Sequence, residues 1–342
     1  MKAALKASMR GTDIDLGGLA YLYSRAPFLF QHVDQIGRAL YASDPASHGV
    51  PQPQYLCLDL LRVSGPISQI ALARRAGVDT STLSSVVTRL VAKHLVKRVP
   101  NPADGREKLV SVTAAGRAAA ERAAGAYQRV QAILMATPDI DAGLFHRLAA
   151  PVAHAADHAA PEWLTDAIPA AEKARLAVVF ESPSFLVRRA LQRSEVAILR
   201  SIGAFDLTIR QYAALLVLHF HQQLAEADLC RLLGYDASNA ALVVKLLVEK
   251  GLAAVVNPLA SGRKRYRATH AGRALLADKE PVMQRVDRAL LKPLDRAQAR
   301  RFKDMLAAIV REHGGQVQNP LVAFDTVTAS VYWQKPRFVP VK

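Results

Sequence analysis

The chain repeats itself, and that constrains its fold more than any other feature. Gln54-Tyr55 recurs 157 residues later as Gln211-Tyr212, Gly77-Val78-Asp79 as Gly234-Tyr235-Asp236, and Gly105-Arg106 as Gly262-Arg263. The same spacing joins Phe28 to Phe185, Lys93 to Lys250 and Phe145 to Phe302. Beyond the Gly-Arg pair it becomes 156, from Thr113 to Thr269 and from Gly116-Arg117 to Gly272-Arg273. A chance likeness between helical segments does not hold register over such a span. A tandem duplication with one residue lost between Arg106 and Thr113 does. The boundaries that follow are an N-terminal extension (1–18), a first domain (19–158), a linker (159–183), a second domain (184–313) and a tail (314–342). The tail has no counterpart after the first copy, and its β-branched and aromatic residues predict packing on the body.

Each copy has one pattern of elements. A first helix is predicted over Pro27–Tyr41, with Phe30, Val33, Ile36 and Leu40 at helical spacing, and its partner over Ser184–Ile202. A second helix starts near Pro53 and again near Thr208. The third is "SQIALARRAG", with Ser68 as N-cap and Gly77 just past its end. The fourth runs from Asp79 to His94 and turns Leu83, Val87 and Leu90 inward. Then "LVKRV" and "EKLVSV" flank a Pro/Asp/Gly turn as a β-hairpin, with Val110 and Val112 facing in. A long helix from Thr113 to Met135 and a shorter one around Phe145 close the unit.

Helix, helix, turn, helix and basic hairpin make a winged helix-turn-helix. The fold class is mainly α with two small β-hairpin wings, as tandem winged helix-turn-helix domains. The outer face of the Asp79–His94 helix is small and hydroxylated: Ser81, Thr82, Ser84, Ser85 and Thr88, followed by Arg89 and Lys93. Solvated helix faces favour Glu and Lys, whereas Ser and Thr are poor helix formers. Such a face suits close approach to base edges in a major groove, with Arg89 and Lys93 toward phosphates. Arg106 at the hairpin tip suits the adjacent minor groove, with Asp104 beside it as an ion-pair partner that orients the tip. In the second copy the corresponding candidates are Ser238, Asn239, Lys245, Arg263, Lys264 and Arg265. Asn239 stands equally as an adenine reader or a turn residue; the basic run could be a solvated loop, but alternation puts Arg265 and Arg267 on one face opposite Tyr266, which favours phosphate contact.

The balance of charge agrees. Lys plus Arg number 45 against 29 Asp plus Glu, a formal net charge of +16. An excess of this sign steers a protein toward phosphates, although charge alone also fits an alkaline soluble protein.

The passage "ALARRAGVDTSTLSSVVTRLVAKHLVKRVPNPADGREKLVSVTAAGRA" resembles the MarR-type winged-helix transcription regulators. Asp104-Gly105-Arg106 matches the family's Asp-x-Arg wing tip, and "VTAAGR" its junction of strand and helix. The second copy matches more weakly, with Ser261 in place of the wing Asp and Ala237, Ala240 and Ala241 where the first has Thr80, Leu83 and Ser84. The resemblance implies terminal helices that pair across a dimer, here within one chain as a monomeric pseudo-dimer. It implies a double-stranded DNA operator and a repressor released by a small aromatic or phenolic effector. Phe28, His32 and Tyr55, with Arg189 and Tyr212 as opposite numbers, stand where an effector cleft would be lined, although core packing is the favoured reading of them. The alternative function is a winged-helix protein adapter or a nucleoid component of low sequence preference.

Other classes find little support. No phosphate-binding or dinucleotide glycine pattern and no nucleophile elbow occurs, so neither an enzyme nor a cofactor is expected. His219 and His221 point apart on a helix and read as structural rather than as a metal pair. Cys57 and Cys230 lie far apart in apolar stretches, which suits buried thiols in a reducing cytoplasm. "MKAALKASMR" lacks the apolar core of a secretory signal, and no apolar run reaches membrane-spanning length.

Overall fold

A computed structural model describes residues 21–76, 78, 80–155, 176–202, 207–221, 223–256 and 264–314. The tail, most of the linker and residues Gly77, Asp79, Ser261 and Arg263 lie outside them. The described residues divide into two units. One takes those of Leu29–Val196 and Arg288–Val317, the other those of Met1–Phe28 and Ala197–Asp287. This division by contact cuts across the repeat, because helices of both copies pack together in the first unit.

In that unit α1 (Ala26–Ser43) buries Phe30, Val33, Ile36 and Leu40, the face its periodicity predicts. After it come α2 (Gln52–Ser64), β1 (Ile67–Ser68), α3 (Gln69–Ala76) and α4 (Thr80–Ala92). Next are β2 (Val96–Asn101), β3 (Asp104–Val112), α5 (Ala114–Met135) and α6 (Ala142–His154). Leu83, Val87 and Leu90 of α4 are fully buried, and each such side chain stabilises by about 1.5–3 kcal/mol. The sheet has the order β1-β3-β2, all antiparallel, with Val96 opposite Val112 and Arg98 opposite Val110. Val110 and Val112 face the core as expected. The strands run further into the tip than the alternation indicates, with a register shift between Pro100 and Asn101. Strand β1 was not expected. Ser68 does both jobs, pairing with Leu109 while its hydroxyl accepts from the Ala71 N–H at 3.1 Å.

The second copy contributes α7 (Pro183–Ile202), as far as Val196, and α12 (Arg296–His313) to the same unit. Helix α12 packs on α6. Phe302 meets Phe145 at 5.6 Å between ring centroids and Phe30 at 5.9 Å, all three fully buried. The hydroxyl of Thr137 and Nε2 of His313 are 2.9 Å apart. On α7 the Ser184 N–H donates to the side chain of Gln131 at 2.9 Å, and Arg193 donates to the carbonyl of Val152.

The other unit holds α8 (Ile209–Phe220), α9 (Glu226–Leu233), α10 (Ala237–Glu249), β4 (Ala253–Val256), β5 (Arg265–Ala268) and α11 (His270–Leu290), the last as far as Asp287. Thr208 and Gln211 close a capping box on α8, and Gly234 ends α9 in the left-handed region at φ 66°. Strand β4 pairs with β5, Ala253 opposite Ala268, and Leu224 bridges Tyr266 where the first copy has β1.

One junction recurs in both units. The Thr113 N–H donates to the carbonyl of Leu95 at 3.0 Å, and its hydroxyl accepts from the Gly116 N–H at 3.0 Å. Thr269 makes the same pair of bonds with Leu252 at 3.0 Å and Gly272 at 3.1 Å. A Cβ on Gly116 would stand 2.0 Å from the Leu95 carbonyl oxygen, and one on Gly272 2.2 Å from that of Leu252. The long helix therefore starts directly against the entry of the wing, and only glycine fits there.

Candidate nucleic-acid interface

Burial of Leu83, Val87 and Leu90 fixes the rotation of α4. Its opposite face then presents Ser81, Thr82, Ser85, Thr88 and Arg89, all exposed, with Ser84 half-buried. Alongside lies the β2-β3 wing, where Arg106, Lys97, Arg98 and Lys108 are exposed. The last three were not singled out from the sequence: alternation with buried Val96 implies Lys97, but Arg98 and Lys108 share the strand face of Val96 and Val110 and that pattern would turn them inward. At the tip, Oδ1 of Asp104 accepts from the backbone N–H of Arg106 at 2.9 Å. Orientation therefore comes through the main chain rather than through the ion pair expected, and the guanidinium stays available.

Lys93 stands apart from that face. Its ammonium donates to the Gly49 carbonyl at 2.7 Å and to Oε1 of Gln54 at 3.0 Å, tying the end of α4 to the start of α2. Two of its three donors are thus engaged, and it acts in positioning more than as a phosphate contact.

The second copy offers a different surface. Asp236 caps α10, accepting from the Asn239 N–H at 2.8 Å, and the Asn239 side-chain amide donates to the same carboxylate. Those bonds hold the Asp236 carboxyl below the usual carboxylate range. The amide of Asn239 is drawn back to the helix start, which favours the turn role. Ser238 and Lys245 are exposed, Lys245 lying 3.7 Å from Glu249. Where the first copy exposes Ser85 and Arg98, the second exposes Leu242 and Val255, at 53% and 46%. Lys264 is exposed and Arg265 half-buried on β5, while Tyr266 between Arg265 and Arg267 is buried, donating to Glu226 at 2.7 Å. Arg263 lies outside the described residues.

Of the residues expected around an effector, Phe28 and Tyr212 line a cavity in the second unit. Tyr55 instead packs in the first unit against Tyr41 and Tyr127. His32 and Arg189 are buried, at 1% and 4% exposure, and do not line that cavity. Both cysteines are buried, and burial pushes the Cys57 thiol up to about 12, away from the reactive thiolate. No described helix is long and apolar enough to cross a membrane.

A three-helix head whose third helix offers a hydroxylated face beside a basic hairpin is the winged helix-turn-helix of DNA-binding transcription regulators. Comparison with known proteins agrees. Residues 50–108 match the MarR family. The HTH-type transcriptional repressor NicR of Pseudomonas putida is 40% identical over 65 residues, 19% of this chain and 41% of NicR. An HTH-type transcriptional repressor of Mycobacterium bovis is 30% identical over 109 residues, 32% of this chain and 78% of that protein. Among solved structures, the PcaV transcriptional regulator of Streptomyces coelicolor, in complex with its natural ligand, is 31% identical with a TM-score of 0.30, covering 32% of this chain and 79% of that one. The chain belongs to the MarR family.

Proposed function

We propose that this protein is a sequence-specific repressor of double-stranded DNA, with both halves of a pseudo-dimer carried on one chain and release triggered by a small aromatic or phenolic effector. The exposed Ser/Thr face of α4 carries the reading. Four hydroxyls stand on the side of the helix that its core residues turn outward, and hydroxyls with Thr methyls suit the mixed polar and methyl pattern of a major groove. Residues 19–158 and 184–313 form the two halves. The repeated Thr113/Gly116 and Thr269/Gly272 junctions support this, as does the contact of Phe145 with Phe302. The cavity beside Tyr212 supports effector control. A ligand that favours the released form lowers DNA affinity by the same factor by which DNA lowers ligand affinity.

Selection from a random duplex pool, followed by fluorescence anisotropy on the selected and a scrambled duplex, tests the reading. The selected duplex binds more tightly, and affinity falls with salt at about −0.9 log units per phosphate contact. Equal affinity for both at moderate salt overturns it. One observation favours a second reading for the second head alone: exposed Leu242 and Val255 suit a protein partner or low-specificity DNA binding.

A further inference from the structure

A strongly basic surface lies in the first unit, away from the hydroxylated face of α4 and its wing. Between Arg288 and Asp304, where α11 gives way to α12, stand six cations and two carboxylates. Arg288, Lys292, Arg296, Arg300 and Arg301 are exposed, and Lys303 is half-buried. Of the carboxylates, Asp295 caps α12, accepting from the Gln298 N–H at 2.8 Å, and Asp304 is half-buried. Arg296, Arg300 and Lys303 recur at i, i+4 and i+7, one face of the helix. Phe302, Met305 and Ile309 are buried on another.

These cations did not come with the duplication. Counted 157 residues back, Lys292, Arg296, Arg300, Arg301 and Lys303 fall on Met135, Asp139, Gly143, Leu144 and His146. Phe145 is the fourth residue of α6, whereas Phe302 is the seventh of α12. Helix α12 thus starts nearly one turn earlier, and that turn brings Arg296.

The guanidinium of Arg301 donates to the Asp139 carbonyl at 3.0 Å, which places the patch just past the far end of α5. That helix starts at the root of the first wing and runs for 22 residues, about 33 Å of rise. Salt at about 0.1 M screens exposed charges over about 10 Å. The patch therefore lends the first head little attraction for its duplex, and a polyanion must touch it directly. Its chemistry selects among polyanions. Guanidinium forks suit phosphate oxygens. Among the described residues 288–304 no large apolar side chain is exposed. The patch thus lacks the apolar anchor of a protein interface or of a helix lying in a lipid surface. Contact with a duplex backbone needs none.

We propose that this surface holds the phosphate backbone of a second DNA duplex, without regard to sequence, so that one chain bridges two duplexes. The first duplex is the one engaged by the winged helices. Bridging rests on the reading of those heads as DNA-binding, whereas duplex binding at the patch does not.

A selected duplex on beads, saturated with the full chain, should capture a fluorescent scrambled duplex at about 50 mM salt. Capture should fall with salt at about −0.9 log units per phosphate contact. Arg288→Gln with Arg296→Gln and Arg300→Gln should cut capture per bound chain about tenfold or more, with anisotropy on the selected duplex changed by less than about twofold. Arg296→Gln alone, on one exposed side chain, should show a smaller loss in the same direction. Lys264→Ala with Arg265→Ala should leave capture per bound chain unchanged. No capture by the unaltered protein overturns the proposal, and binding of phosphatidylserine vesicles in its place would hand the patch to a lipid surface. Capture that survives the triple substitution, or that is lost with Lys264 and Arg265 instead, also overturns it. Equal anisotropy on selected and scrambled duplexes with capture intact removes the sequence-specific reading and leaves the bridge standing.

Discussion

The rings of Phe145 and Phe302, 157 residues apart in the chain, meet edge to face with centroids 5.6 Å apart. They occupy the same position in the two copies. A residue that touches its own counterpart lies at a two-fold axis, as in an isologous dimer. The proposed pseudo-dimer places such an axis between α6 and α12 of one polypeptide.

Sedimentation at micromolar concentration should therefore show chiefly the 37.1 kDa species. Phe145→Ala and Phe302→Ala should each lower stability by about 3–5 kcal/mol in denaturant titrations. The double variant should fall short of the sum, since both remove one shared contact. A tight two-chain assembly formed by the unaltered protein would count against the pseudo-dimer.

The two heads should divide their work. Ser85→Ala with Arg89→Ala should relax base discrimination, each good contact being worth roughly 1–3 kcal/mol. Lys264→Ala with Arg265→Ala should weaken all duplexes alike and reduce the salt slope by about one unit per lost contact. Duplex selection on both variants checks this, and loss of base preference in the second variant alone would reverse the assignment.

Glycines in one helix should respond in opposite directions. Gly116→Ala places a Cβ against the Leu95 carbonyl and 2.8 Å from Cγ2 of Val112, so about 3 kcal/mol or more should be lost. Gly125→Ala meets the side chain of Arg129 at 3.1 Å, an exposed guanidinium paired with Asp44 that has solvent to shift into. There the higher helix propensity of alanine should show as a gain of up to about 1 kcal/mol. Thermal melts of the two variants separate these outcomes.

Acid should destabilise the fold through His32. Burial pushes its basicity down to about 3, partly opposed by a hydrogen bond with Gln35. The unfolded chain takes up this proton first. The contribution to stability is whole above pH 6.5 and lost as pH falls toward 3, at up to about 1.4 kcal/mol per unit. His32→Gln should remove close to one proton from the slope of unfolding free energy between pH 6.5 and 5. An unchanged slope would show that His32 is accessible to protons in the native state.

Much of this architecture is legible in the residues because it is local and periodic. Phe30, Val33, Ile36 and Leu40 announce the buried face of α1, and Leu83, Val87 and Leu90 set the outward face of α4. The paired junctions follow from the repeat, Leu95 and Leu252 lying 157 residues apart and the threonines bonded to them, Thr113 and Thr269, 156 apart. What eluded the sequence depends on distant partners. Lys93 turns away toward Gly49 and Gln54, far back in the chain, and no helical period marks that. Strand β1 is two residues long, too short for any alternation. The cavity draws Arg25, Tyr212 and Met283 from three separate segments; the repeat singles out Tyr212, but nothing in their own surroundings marks Arg25 or Met283.

The packing of α6 on α12 also has a genetic side. In a regulator assembled from separate chains, a defective allele expressed beside an intact one is drawn into mixed assemblies and disables them. In the proposed pseudo-dimer Phe145 finds Phe302 on its own polypeptide, so an intact chain would have no need to recruit a damaged one. Defective alleles should be recessive even when overexpressed, and the pairing should be as complete in a cell holding a few copies as in one holding thousands.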